Sequence, residues 1–489
     1  KIGVVGAGTP PNHPFFSENP LRRVFKYSMT LPRLLTLWRN TPQIIENIAR
    51  WETIPARKAR LVPFPADLHP ALASVLRAQG IESLYAHQAQ AYEHARAGRN
   101  LVVATGTASG KTLCYNLPIL DRLLRAPEAR ALYLFPTKAL ARDQWAVISD
   151  QLSVNSGQLS VLNTAAYDGD TPRSQRPKIR ANAHLIISNP DMLHFGVLPY
   201  HTRWGAFFPR LQFVVIDEIH IYRGVFGSHV ANVLRRLKRI AAFYGASPQF
   251  ILTSATIANP VELAEKLIEA PVTLIDEDGS ARGRQHFLIY NPPIVDEKLG
   301  LRRGILQESV YLAGDLLAYD VQTLVFARSR RAVELTLRYL QAQSPPSGWR
   351  EEGRVRAYRS GYLPAQRREI EHGLRSGQVR AVAATNALEL GIDIGGMGAV
   401  VLAGYPGAIA ATWQQAGRAG RGSDESLAGL PTPSISSWPA TRNTSSIAPP
   451  NRPSSTPATC SFCSTTFAAR PTSCPSRLGN ALGISRRKP

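Results

Sequence analysis

Val102-Val-Ala-Thr-Gly-Thr-Ala-Ser-Gly-Lys-Thr112 decides the reading of this chain. Its apolar start has the character of a buried strand, and an amphipathic helical pattern follows it. Between the two lies a loop of small residues, Thr105, Gly106, Thr107, Ala108, Ser109 and Gly110, ending on Lys111 and Thr112. Small side chains let backbone N–H groups close around phosphate oxygens at the positive end of the following helix. Lys111 would reach the outer phosphates, and the Thr112 hydroxyl would complete a Mg2+ shell. A ligand-free surface loop of Gly, Ser and Thr is the plainer alternative. The strand before it and the Gly-Lys-Thr ending speak against that. Such loops usually open on glycine or alanine, and here the first position is Thr105.

Working outward, Phe213-Val-Val-Ile-Asp-Glu-Ile-His220 supplies a second strand with two carboxylates at its carboxyl end. Asp217 is suited to hold the Mg2+ shell, and Glu218 to orient and deprotonate an attacking water. Paired acids at a strand end are often ordinary loop charge. A phosphate loop upstream makes a nucleotide site the better reading, with ATP and Mg2+ as its cofactors.

Around these motifs the pattern is α/β. From 61 to 276, short apolar runs at Leu101–Ala104, Ala131–Phe135, Leu185–Ile187, Phe213–Ile216 and Gln249–Leu252 alternate with amphipathic stretches. This is the signature of a parallel sheet flanked by helices. A second block, 301–428, repeats it with strands at Thr323–Phe326, Val355–Tyr358, Ala381–Ala384 and Ala399–Leu402. Residues 277–300, rich in Gly, Pro and charge, read as a linker. Residues 1–60 read as a helical extension, with helical spacing from Arg22 to Thr53. Residues 429–489, dense in Ser, Thr and Pro, read as disordered. The opening Gly3-Val-Val-Gly6-Ala-Gly8 invites a dinucleotide fingerprint, which fails because Pro11 stands where its third glycine belongs.

The net charge of +22, from 57 Lys and Arg against 35 Asp and Glu, points to a polyanionic partner, although an Arg-rich coding bias gives the same sum. Four cysteines make no disulfide scaffold, and a reducing cytoplasm fits. The longest uncharged stretch, between Arg239 and Glu262, is broken by polar residues and proline, which excludes a membrane span there. No signal peptide is legible, and Lys1 in place of Met reads as a start inside an open reading frame. Cys460-Ser-Phe-Cys463 and Cys474 resemble half a zinc site. A structural site takes four ligands, so incidental cysteines are the better reading.

The order of further motifs resembles the DEAD/DEAH-box (DExH) helicases of superfamily 2 over roughly residues 60–428. Asp217-Glu-Ile-His220 resembles the DExH box and Ser254-Ala-Thr256 the motif after it. His87-Gln88 looks like the adenine-sensing glutamine motif. Phe135-Pro-Thr-Lys-Ala-Leu-Ala-Arg142 and Ser188-Asn-Pro-Asp-Met-Leu193 look like backbone-contacting motifs. Leu324-Val-Phe-Ala-Arg-Ser-Arg330, Thr385-Asn-Ala-Leu-Glu-Leu-Gly-Ile-Asp393 and Gln414-Gln-Ala-Gly-Arg-Ala-Gly-Arg421 match the second half. The resemblance implies two tandem RecA-like domains sharing one ATP site. It makes Arg418 and Arg421 arginine fingers from the second domain, Gln88 and Gln414 nucleotide sensors, and Asp393 a residue at the edge of the cleft. His220, Ser254 and Thr256 would couple phosphate state to domain closure. Thr137, Lys138, Arg142 and Thr385 would contact a nucleic-acid backbone.

Tyr222-Arg-Gly-Val-Phe-Gly-Ser-His229 and Tyr358-Arg-Ser-Gly-Tyr-Leu-Pro364 are similar to the YprA-like branch, represented by mitomycin repair factor A. That branch implies a 3′→5′ DNA helicase acting in repair. An RNA helicase, or a truncated nucleic-acid binder without productive unwinding, stands beside it. Arg235, Arg236, Lys238 and Arg239 read as a solvated helix face rather than a binding patch. The branch continues into a cysteine-rich region, and likeness to it ends near Ala428. The expectation is therefore a frameshifted or otherwise altered carboxyl end, with Leu427–Leu430 as the only strand available to close the second sheet.

Overall fold

The computed structural model describes residues 30–153, 161–343, 353–389, 395–420 and 425–431. Apolar runs flanked by amphipathic helices assemble into two seven-stranded sheets. In the first, the strand order is Thr273–Ile275, Leu101–Val103, Gln249–Thr253, Leu211–Ile216, Arg130–Leu134, Leu185–Ser188, Thr164–Ala166, and every pair is parallel. Such a sheet must be covered on both faces. Leu101, Val103, Tyr133 and Ile251 pack on one side with the helices Ala86–Arg96 and Lys111–Arg125. Val102, Leu132, Val214 and Leu252 pack on the other with Gly224–Phe243 and Pro260–Ile268. All the parallel strands therefore present their carboxyl ends on one edge, where ligands of open α/β sheets bind.

The second sheet runs Ile48–Ile54, Arg284–Tyr290, Glu425–Pro431, Ala399–Ala403, Thr323–Ala327, Ala381–Ala384, Val355–Tyr358. Only Ile48–Ile54 is antiparallel, pairing with Arg284–Tyr290. The fold class expected from the sequence, two parallel α/β domains in tandem, is what the chain adopts, and all nine expected strands are present to within about two residues at either end.

Two expectations need correction. Residues 31–54 are not a helical extension to residue 53. Helices Leu31–Arg39 and Pro42–Ile45 give way to the strand Ile48–Ile54. Trp51, Thr53 and Ile54 suit a pleated edge, and a partner 235 residues away in sequence, invisible to local periodicity, decides the matter. Likewise 277–300 is more than a linker. It contains Arg284–Tyr290, largely buried within the sheet, and a hairpin of Ile294–Asp296 with Leu301–Arg302. The second domain is consequently discontinuous. Residues 31–54 belong to it, the chain leaves for the first domain, and it returns near 282.

Leu427–Leu430, the only closing strand available from the sequence, forms as Glu425–Pro431 and inserts between Arg284–Tyr290 and Ala399–Ala403. The expected boundary of the tail at 429 falls inside this strand. Residues 432–489, with Cys460, Cys463 and Cys474, lie outside the described residues, as do Asp393 and Arg421. Among the described residues no helix is long and apolar enough to cross a membrane.

Candidate functional site

The phosphate loop leaves the strand Leu101–Val103 and ends at the helix Lys111–Arg125, as its sequence predicts. Gly110 has φ +77, and a Cβ there would lie 2.6 Å from Gln88 Nε2, so any side chain would be strained and would displace the Gln88 amide. The Thr105 and Ser109 hydroxyls are 2.7 Å apart and buried. Lys111 Nζ donates to the carbonyls of Thr105 (3.1 Å) and Gly106 (2.7 Å), so the ammonium spans the loop that would hold phosphates. Ala108 takes a left-handed backbone, φ 63, which turns the loop without a side-chain cap. Thr112 sits in the first turn of the helix. Gln88 Nε2 donates to Gly110 O at 3.1 Å and its Oε1 accepts the Tyr85 N–H at 2.9 Å, bracing the loop from behind.

Asp217 and Glu218 emerge two strands away, at the end of Leu211–Ile216. Asp217 accepts the Glu218 N–H at 3.0 Å and a hydrogen bond from the Thr253 hydroxyl. Burial, and then the Glu218 charge, push its carboxyl up to about 7. Burial raises Glu218 too, against the opposing pull of Lys111 and Arg418. Glu218 also sits at φ 55, a strained position for a non-glycine residue of the kind that gathers at functional sites. The Asp217 carboxylate and the Thr112 hydroxyl are oxygen donors, the ligand chemistry that Mg2+ takes. Among the described residues no cluster of three or more His, Cys, Asp or Glu is placed to hold a metal ion.

Across from these groups stands the helix Ile409–Ala416 of the second domain, followed by Gly417 and Arg418. Thr107 Oγ1 donates to Gly417 O at 3.2 Å. Gln414 Nε2 lies 2.5 Å from His220 Nε2. The Ala255 N–H donates to His220 Nδ1 at 3.2 Å, and Glu218 Oε2 lies 3.4 Å from the same nitrogen. Burial lowers His220 to about 3 and keeps it neutral. Arg418 is 2% exposed, and its Nη2 donates to Glu389 O at 2.5 Å. Gln415 Nε2 reaches Glu389 Oε2 at 2.8 Å. Ser254 is fully buried with no protein partner for its hydroxyl among the described residues, and Thr256 lies half-buried two residues on.

The structure therefore gathers Gln88, residues 105–112, Asp217, Glu218, His220, Ser254, Gln414 and Arg418 around one cleft. It treats the backbone-contact candidates differently. Arg142 forms a bidentate pair with buried Asp168 (2.6 and 2.8 Å), and Lys138 pairs with Asp170. Both cations are thus already engaged by the Asp168-Gly-Asp170 turn, which sequence reasoning passed over. Thr137 Oγ1 accepts the Leu140 N–H, and Thr385 Oγ1 accepts the Ala387 N–H, so each opens a helical turn. Arg235 pairs with Glu269, and Lys238 Nζ caps Ile268 O at 2.6 Å, so these members of the basic run are bound to the end of the neighbouring helix Pro260–Ile268. Thr253 and Glu389 were also missed. Each lies inside or beside a recognised motif, but neither residue type carries a signal of its own.

The DEAD/DEAH box helicase family matches residues 85–264, and the helicase conserved C-terminal domain matches 308–423. YprA of Bacillus subtilis, an uncharacterized ATP-dependent helicase, is 50% identical over 385 residues, covering 78% of this chain and 50% of YprA. The ATP-dependent helicase HRQ1 of Saccharomyces cerevisiae is 41% identical over 404 residues, covering 81% of this chain and 37% of its own. The crystal structure of the DUF1998 helicase MrfA bound to DNA superposes with a TM-score of 0.78 at 47% identity, covering 83% of this chain and 53% of MrfA. The chain thus spans about half the length of YprA and MrfA. With both halves of the motif set folded around one cleft, the chain belongs to the DEAD/DEAH-box helicases of superfamily 2, alongside the YprA-like branch.

Proposed function

We propose that this chain is an ATP-dependent nucleic-acid helicase or translocase, working 3′→5′ on DNA in repair, in a reducing cytoplasm. The observation that carries the reading is the pair of bridges across the cleft, Thr107 to Gly417 and His220 to Gln414. They put the phosphate loop and acids of one domain within reach of the arginine-bearing segment of the other. In this reading Lys111 leaves the Thr105 and Gly106 carbonyls for the outer phosphates, and Asp217 with Thr112 holds Mg2+. Glu218 orients and deprotonates the water, and Arg418 with Arg421 meets charge spreading over the transferring phosphoryl oxygens. Gln88 and Asp393 border the nucleotide. His220, Ser254 and Thr256 pass its state to the second domain. Hydrolysis removes the γ-phosphate bridge, the domains part, and a strand held against Thr137, Lys138, Arg142 and Thr385 advances.

DNA is supported by the likeness to MrfA, whose crystal structure is a complex with DNA. The test is ATP hydrolysis with single-stranded DNA, with RNA, and with neither. Stimulation by DNA above that by RNA is expected; the reverse order would make this an RNA helicase. A second reading has the motor hydrolyse ATP on DNA without separating strands. Stimulated turnover with no displacement of a labelled strand from a 3′-tailed duplex would establish that version.

A further inference from the structure

Two segments carry the chain between its domains, and they run side by side. Arg57 N donates to Arg282 O at 2.8 Å and Arg282 N to Arg57 O at 2.9 Å, an antiparallel bridge. Arg60 N donates to Gly279 O at 2.8 Å, and Ala86 N to Arg60 O at 2.9 Å. Any change in the angle between the domains must pass through this paired crossing.

The crossing touches the phosphate loop at two points. His87, fully buried, accepts the Gly279 N–H on Nδ1 at 3.1 Å and lies 2.9 Å from Ser109 O through Nε2. With Nδ1 accepting, the single imidazole proton sits on Nε2 and is donated to the Ser109 carbonyl. Burial, outweighing the pull of Asp278, lowers His87 and keeps it in this neutral form. The Asp278 carboxylate, paired with Arg57 at 2.8 Å, lies 3.3 Å from where a Cβ on Gly106 would stand. Gly279 itself is hemmed in. A Cβ there would meet Ala86 N at 3.0 Å and Arg60 O at 3.4 Å, backbone atoms that cannot swing aside.

We propose that His87 is a positioning residue that ties the conformation of the phosphate loop to the paired crossing, with Gly279 as its necessary close neighbour. Ordering of the loop around phosphates moves the Ser109 carbonyl, and the imidazole transmits that movement to Gly279 and so to the hinge. This rests on the reading of the cleft as a site where nucleotide and nucleic acid bind together.

The experiment measures the affinity of the full chain for fluorescent AMPPNP with and without single-stranded DNA, and takes the ratio of the two. Coupling between sites is commonly 5–150-fold. The wild-type ratio is expected to exceed about 5 and to fall close to one in His87→Ala. His87→Gln should recover it, because one amide both accepts and donates. Gly279→Ala, which leaves the imidazole in place and displaces the crossing, should also lower the ratio. Equal loss of affinity with and without DNA in His87→Ala would mean that the imidazole only supports the pocket, and a wild-type ratio in both Ala variants would mean that the crossing is not coupled. Either result overturns the proposal. A wild-type ratio of one would instead overturn the functional reading beneath it.

Discussion

Lys111 and Glu218 separate binding from cleavage. Lys111 has no role in the core, and its ammonium rests on two loop carbonyls. Lys111→Ala is expected to abolish hydrolysis while the sheet stays folded, as checked by turnover and by thermal unfolding. Glu218→Gln keeps the shape and removes the base. Its kcat should fall by about 10²–10⁴ while ATP remains bound, measurable by filter retention of labelled nucleotide. At this scale the sequence was highly legible wherever a residue type is chemically obligatory, as with lysine for phosphate or paired acids for metal and water. It was poorly legible for partners. Nothing in the sequence marks Asp168 as the acid that engages Arg142, because the two meet only when the strand Thr164–Ala166 pairs beside Leu185–Ser188.

Between elements, helix Lys138–Ser153 of the first domain brings Asp143 close to Glu371, Arg367 and Arg375 on helix Pro364–Arg375 of the second. Burial, and then the Glu371 charge, push Asp143 up to about 6, against the two arginines. A carboxyl whose folded pKa is raised holds its proton more tightly folded than unfolded. Its contribution is therefore greatest in acid, is lost as pH rises from about 4 to about 6, and is flat above that. Thermal unfolding across this window should show the decline, and Asp143→Asn should flatten it.

The helix Leu31–Arg39 offers a second test. Trp38, 2% exposed, packs with Leu288, Leu316 and Val401 and donates to Asp315 Oδ2 at 3.3 Å. Trp38→Ala should cost about 3–5 kcal/mol in unfolding experiments, a large part of one domain's stability. That this helix serves the second domain could not be read from the sequence. Its amphipathic face shows that it packs, and where it packs is set by long-range contacts, those of Trp38 and the antiparallel pairing of Ile48–Ile54 with Arg284–Tyr290.

For the whole molecule, the charge of +22 overstates the free cation supply. Lys138, Arg142, Arg235 and Lys238 are already committed to acids or helix ends. Binding of single strands should still weaken with salt, with a log–log slope of about −0.7 per phosphate contacted. Titration by anisotropy should give a slope reflecting only a few contacts, and a steep slope of about ten or more would show that the intramolecular pairs open on binding. The parallel architecture was legible because buried strands in such sheets are continuous apolar runs, and the order of the strands was not, since pairing is set at long range.

The first domain is spliced into the second, between Trp51 and His286. A ribosome therefore delivers one edge of the second sheet long before the strand it pairs with. Residues 61–276 hold a complete sheet and can fold while that edge waits unpaired. A fragment cut to begin at residue 61 would keep every helicase motif, yet leave Arg284–Tyr290 bare along one side and a hollow where Trp38 belongs. Such a fragment should clump through its open strand while its intact sibling remains dispersed.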